Sequence, residues 1–409
     1  MWHRFLLLHC AGAAAAAAAA QQDVGRFNPS FNASSLTDHD PLPRPGEKTG
    51  WPVNPDNMPI GNGRMTALVW SDGSHANNSG IGLLLARDDA YTDLVQLIKL
   101  GRLRIQLSPD PFLGASVFNQ TLDLATGEVL VSVTSGTGDL TVSLRVAATP
   151  REAHPAADGI TVELLFSSKP VSISVQLELW RVDGPFPSVG GFSTNSVRGI
   201  CNASSAVVHA DIVETASSSG GAQLLWSYRN SDSTWKSTLE NQLLWPDMPQ
   251  DTPDPLINRQ FGALVQGHGE DGSGAVAWVA EPPPCLPHCC AGLTCGTRTI
   301  QTFKPVTTAR ISIITHTNQT ATATEWLAQT QAIATAAAES FTLAGSASAH
   351  ARRRATMAAF WNRSYVNVGG APEAASVPID PLEFTEHAGM IGSQPPIAVP
   401  CHAPLSGIR

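Results

Sequence analysis

Charge is what this sequence has least of: Asp, Glu, Lys and Arg make up 14% of 409 residues, against roughly a quarter in an average globular protein. The 25 Lys and Arg are outnumbered by 34 Asp and Glu, for a formal net charge of -9. Clustered basic residues supply most of the attraction to nucleic acid and to anionic lipid, so neither partner is expected. The one basic run, Arg352 to Arg354, falls in a helix-like segment and reads as a solvated helix face. After the first twenty residues there is no apolar run approaching the ~20 residues that a spanning helix needs.

Several catalytic signatures are also missing. Gly61-Asn62-Gly63 is followed by Thr66 where a phosphate loop would need its third glycine, and by a strand pattern where it would need a helix. An Asn-Gly turn before a strand explains it. No Gly-x-Ser-x-Gly nucleophile elbow occurs, and the histidines are scattered; His268 and Glu270 sit in a Gly-rich turn and read as exposed. Cys285, Cys289, Cys290 and Cys295 crowd one stretch, while Cys201 and Cys401 stand apart. In an oxidising compartment the cluster makes local disulfides. The alternative is a metal site with His288, but the paired Cys-x2-Cys arms of structural zinc are absent. No cofactor and no metal are expected.

What is present begins with a leader. Arg4 precedes the uncharged stretch Phe5 to Ala20, and Gln21-Gln22-Asp23 follows. A basic start, a short apolar part and small residues before a polar boundary describe a cleavable signal peptide over residues 1–20. Six Asn-x-Ser/Thr triplets, at Asn32, Asn77, Asn119, Asn202, Asn318 and Asn362, fit a secreted glycoprotein with no membrane association after cleavage. Asn28 is disqualified by Pro29.

Residues 21–50 carry Pro41, Pro43, Pro45 and Gly46 without an apolar period and read as an extended lead-in. From 51 to 318 the two-residue period dominates. Leu140, Val142, Leu144 and Val146 alternate with polar neighbours, as do Ile160 to Phe166 and Val171 to Leu179. Met65 to Trp70, Leu103 to Leu107, Val129 to Val133, Gln223 to Tyr228, Ala275 to Ala280 and Ala309 to Thr315 are further strands. Asp88 to Lys99 alone hints at a helix. Many strands joined by turns imply a mainly β fold, a large antiparallel sandwich. Trp326, Thr330, Ile333, Ala337 and Phe341 then recur at helical steps, and a second helix runs from Ser346 to Trp361, with a break near Gly345. Residues 319–366 are therefore a helical linker. The Pro- and Gly-rich residues 367–409 show scant periodicity and little order is expected there.

Asn57 to Trp70, NMPIGNGRMTALVW, resembles the opening strand of the α-L-fucosidase-type enzymes of glycoside hydrolase family 95 and their relatives. Lys99 to Phe112, Phe118 to Val129, Trp226 to Trp235 and Asp254 to Gly267 are similar to one group of those relatives, the family called domain of unknown function 5703. Phe360 to Val366 resembles the joint leading into the next domain. The resemblance implies an N-terminal β-supersandwich and linker, ahead of an (α/α)6 barrel that holds the general acid and base. Residues 367–409 are too few to build that barrel, so the resemblance carries no catalytic residue onto this chain.

Glycoside hydrolysis needs two carboxyl groups at a set separation, and the adjacent Asp88 and Asp89 offer capping, substrate contact or acid-base chemistry. Sugar faces stack on aromatic rings, which makes Trp180, Trp226, Trp235, Trp245 and Trp278 candidate carbohydrate contacts or, equally, packing residues. Three readings follow: the non-catalytic sandwich of a secreted glycoside-hydrolase-like protein acting on oligo- or polysaccharide, a stand-alone carbohydrate-binding module, or an O-glycosyl hydrolase with its site in the sandwich. Oligomeric state is not legible.

Overall fold

The alternating segments become strands. The computed structural model describes residues 24–33, 57–73, 79–93, 95, 97–150, 158–179, 184–185, 207–208, 211–218, 221–241, 252–268, 278–281, 298–337 and 343–364. In chain order the strands are β1 (Ser30–Phe31), β2 (Met58–Gly61), β3 (Met65–Asp72), β4 (Gly80–Tyr91), β5 (Leu97–Ser108), β6 (Val117–Asp123), β7 (Glu128–Thr134), β8 (Thr141–Ala148) and β9 (Asp158–Ser167). They continue with β10 (Ser172–Glu178), β11 (Gly184–Pro185), β12 (Val207–Val208), β13 (Ile212–Ser218), β14 (Gly221–Arg229), β15 (Arg259–His268), β16 (Trp278–Glu281), β17 (Arg298–Thr302) and β18 (Ala309–Gln319). The α-helices are α1 (Trp235–Asn241), α2 (Ala323–Ala337) and α3 (Leu343–Ser364).

Nine strands form one sheet in the order β1-β6-β7-β8-β9-β18-β15-β14-β13, and seven form the other in the order β16-β17-β10-β5-β4-β3-β2. The sheets face each other across one apolar core. Ile81, Leu83, Leu103, Ile105, Val175 and Ile300 reach it from the seven-stranded sheet, and Val131, Val142, Val162, Ile313 and Phe261 from the nine-stranded sheet. A mainly β sandwich is thus the observed fold, and no barrel of helices occurs among the described residues. Val24, part of the expected lead-in, is 1% exposed and belongs to this core.

The outer face of the nine-stranded sheet is partly roofed by helices. On α2, Trp326, Ala334 and Ala337 pack on Leu225, Leu264 and Ile314. On α3 the docking is polar: Arg353 Nε donates to Glu128 at 2.6 Å, the Ser346 hydroxyl donates to Glu163, and the Trp361 indole donates to the Leu124 carbonyl at 2.7 Å. Glu163 is also held by Arg145 and Arg310, its partners directly across the ladder on β8 and β18. The two helices agree with expectation except at their junction, since α3 begins at Leu343 and contains Gly345.

Three expectations are overturned: Arg353 of the basic run is 8% exposed and bonds Glu128, His268 is part-buried against the Ser312 hydroxyl at 2.8 Å, and one expected helix is absent. Asp88 to Lys99 is no helix: Gly80–Tyr91 and Leu97–Ser108 are paired strands, joined through Val95 at φ 59. The proposed leader (1–20), the tail (367–409), Trp180, Trp245, Asn77, Asn202 and all the cysteines lie outside the described residues, as do the side chains of Trp278 and Asn362.

Candidate functional site

At one end of the sandwich the dry faces carry charge instead of hydrocarbon. Arg87 and Asp89 continue the inward parity of Ile81, Leu83 and Leu85 on β4, and Asp158 begins the inward parity of Ile160 and Val162 on β9. Arg87 is 4% exposed. Its Nε and Nη2 donate to the two oxygens of Asp89 at 2.8 and 3.0 Å, and its Nη1 donates to Asp158 at 3.0 Å and to the Thr315 hydroxyl oxygen on β18 at 3.1 Å. One guanidinium therefore ties β4 of one sheet to β9 and β18 of the other. Planar bidentate pairing of this kind suits Arg and no other cation.

The Gly61-Asn62-Gly63 turn closes over this end. The Asn62 side-chain Oδ1 accepts from the Arg64 and Met65 amides, both at 3.1 Å, and its Nδ2 donates to Asp158 at 3.1 Å and the Thr149 carbonyl at 3.2 Å. Gly63 has φ 91, a conformation costly for any side chain with a Cβ. The turn reading is thus correct, with an added role for Asn62 as a lock on Asp158.

Around the rim, Arg259 donates to the Asp89 carbonyl at 3.1 Å and to Pro255 O at 2.7 Å. Arg229 gathers Asn258, Thr320 and Ala321. Asn230 is fully buried, and its Nδ2 bonds the Tyr91 and Leu256 carbonyls, each at 3.0 Å. His316 tilts against Trp326 with centroids 5.7 Å apart and meets Gln329 of α2 at 3.4 Å.

The electrostatics follow from these contacts. Burial pushes the Asp89 carboxyl up, but hydrogen bonds and charge from Arg87 outweigh it and leave Asp89 below the ordinary carboxylate range. Asp88 moves the other way, raised first by partial burial and then by the neighbouring Asp89 charge. His316 is lowered, chiefly by burial. Opposed shifts on two carboxyls are what an acid-base pair needs. Here, however, the two residues are consecutive on one strand, so their side chains leave opposite faces. Asp89 turns inward to Arg87 while Asp88 is exposed, its amide bonded to Arg64 O at 3.0 Å. They do not converge on one bond. Among the described residues, no group of three His, Cys, Asp or Glu is placed to hold a metal.

The aromatic candidates separate as well. Trp226 is fully buried and donates its indole N–H to the Leu100 carbonyl at 2.9 Å, so it is a core residue and presents no face to a sugar. Trp235 is half-buried at the start of α1. Trp226, enclosed in the core, therefore shares no cleft with Trp235 or the Asp pair. Sequence reading missed Arg87 and Asp158, whose signal was a charge on the dry parity of an apolar strand.

A family model described as "Domain of unknown function (DUF5703)" matches residues 53–366. Among solved structures, a human-microbiome protein provisionally described as a kojibiose phosphorylase is similar at 11% identity over 81% of this chain, with a TM-score of 0.39. This chain spans 39% of that one. No curated protein matches the sequence.

Proposed function

Because the chain belongs to the DUF5703 family, matched over residues 53–366, we propose that it is the non-catalytic sandwich and helical linker of a secreted carbohydrate-processing protein, bracing a helical domain and forming part of the wall beside its sugar. Membership of glycoside hydrolase family 95 itself does not follow from that match. The observation that carries the reading is the Arg87 clamp: the two inward carboxylates at the polar end, Asp89 and Asp158, are both held by one guanidinium. A hydrolase needs one carboxyl that keeps its proton at working pH and a second placed across the scissile bond. Asp89, depressed by Arg87, is unsuited to the first role, and Asp88 on the opposite strand face is unsuited to the second. A second argument is that α2 and α3 are fixed to the sheet by buried contacts, giving a firm base for further helices.

The binding-module reading retains Trp235, the half-buried tryptophan at the start of α1. The purified chain distinguishes the readings. Under the proposal it releases no nitrophenol from a panel of aryl glycosides and shows no glycan-array binding that depends on Trp235. Release abolished by Asp89→Asn would overturn it in favour of a hydrolase, and array binding lost in Trp235→Ala would overturn it in favour of a module.

A further inference from the structure

Among the described residues, the helices leave one quadrant of the nine-stranded sheet bare. α3 crosses β7, β8 and β9 at Glu128, Arg145 and Glu163, and α2 lies over β14, β15 and β18. Beyond α3 the next row of the outer face runs Asn119, Ser132, Ser143 and Phe166, set in register across β6, β7, β8 and β9. Apolar side chains border it: Leu130 is 37% exposed, Leu165 41%, Phe166 53% and Val117 59%. A register shift between Ser143 and Leu144 lets Leu165 and Phe166 both stand out from β9. Such exposed apolar residues grouped on one sheet face call for a cover.

Asn119 lies in that row and heads the triplet Asn119-Gln120-Thr121. Its carbonyl oxygen accepts from the Ser30 hydroxyl at 2.7 Å and the Thr121 hydroxyl at 3.4 Å, while the side chain is exposed and its amide nitrogen makes no bond among the described residues. Asn318, by contrast, donates its amide nitrogen to Gln329 at 2.8 Å, and Asn28 uses its amide to bridge Asp123 and the Leu124 amide.

We infer that Asn119 carries an N-linked oligosaccharide whose first sugars lie along the Ser132–Ser143 trough and cover Leu130 and Phe166. Three strand spacings of about 4.8 Å separate Asn119 from Phe166, a span of two or three sugar rings. The serines supply hydroxyls to the sugar edges, and the Phe166 ring supplies a face for aligned sugar C–H groups. In the coupling, the Asn119 nitrogen forms a bond to the anomeric carbon of an oligosaccharide delivered on a lipid pyrophosphate. The carbon–oxygen bond to pyrophosphate breaks, the lipid pyrophosphate leaves with the electron pair, and the nitrogen loses one proton. The occupant of the bare quadrant is thus part of the same molecule.

The inference rests on passage through a secretory pathway, and the exposed Asn32 provides the internal control. The full chain, expressed in a secretory eukaryotic host, is mapped by glycopeptide mass spectrometry. Thr121→Ala, which removes the triplet but keeps Asn119, is compared with wild type for binding of an apolar fluorescent dye and for sedimentation. The expected result is occupancy at Asn119, at least a twofold rise in dye fluorescence or self-association in Thr121→Ala, and return to the wild-type level in Thr121→Ala/Phe166→Ser. Occupancy at Asn32 with none at Asn119 overturns this inference alone. No occupancy anywhere overturns it together with secretion. Occupancy at Asn119 with unchanged dye binding and sedimentation in Thr121→Ala overturns the covering role.

Discussion

Arg87 decides the character of the polar end because it is the shared partner of two inward carboxylates. Removing one member of a buried charge network leaves the others without compensation, at about 3–5 kcal/mol. Arg87→Met is therefore expected to lower the unfolding free energy by about that amount in denaturant titrations, while Asp88→Asn on the exposed face stays within about 0.5 kcal/mol. The pH dependence has a definite sign. Asp89, Glu163 and Glu178 all have folded pKa values below the ordinary range, burial pushing each up and neighbouring arginines or hydrogen bonds outweighing it. Such a carboxyl stabilises the fold above its unfolded pKa of about 4, and the contribution fades as the pH falls through the folded value. Asp88 is raised, so its contribution is present at low pH and is lost as the pH rises through its folded pKa. Thermal melts from pH 7 down to 2 are expected to show a stability loss starting below about pH 5, shallower in Asp89→Asn. At this scale the sequence was partly legible. A charge at a dry position, such as Asp158 ahead of Ile160 and Val162, marks a buried pair, but only the closing of two sheets 71 residues apart identifies its partner as Arg87.

Among the elements, α3 is held by polar anchors and α2 by apolar ones, which predicts different failures. Glu128 is 1% exposed and accepts from Arg353, with His350 Nδ1 3.0 Å away. Glu128→Gln is expected to speed amide exchange along residues 343–364 at least tenfold and leave α2 protected. Trp326→Ala removes a fully buried ring from the contact with Leu225, Leu264 and Ile314, a loss of about 3–5 kcal/mol in denaturant titrations. Both helices were legible because their buried positions recur at steps of three and four. The stretch from Asp88 to Lys99 deceived for the same reason: Tyr91, Val95 and Ile98 recur at helical steps. There the flanking residues had stronger partners, since Ile81 to Leu85 pair with Gly101 to Ile105 in the centre of a sheet. Tertiary pairing overrode a local period. β6 was missed because its dry face includes Gln120, a polar residue that is buried where the Ser71 hydroxyl donates to it at 2.7 Å from the other sheet.

At the level of the whole molecule, one apolar cluster draws from both sheets, with Trp226 fully buried in it. A single core favours a single cooperative transition, so tryptophan fluorescence and far-ultraviolet dichroism are expected to report the same denaturant midpoint, and Trp226→Ala to shift both together. The sandwich itself was legible from alternation alone. Which strands share a sheet was not, because pairing of β9 with β18 joins residues some 150 positions apart and no local pattern encodes it.

The route by which the chain leaves the sandwich has a mechanical meaning. β18 is hydrogen-bonded on both sides, to β9 over 7 residue pairs and to β15 over 10, and passes directly into α2. A pull on the helices thus loads an interior strand lengthwise, where all those bonds must shear at once. A pull from the other side meets Val24, packed in the core, and then β1, a two-residue strand at the rim whose bonds can be broken one at a time. Load applied through the helices therefore runs along an interior strand, and load applied at the beginning of the sandwich runs through an edge strand.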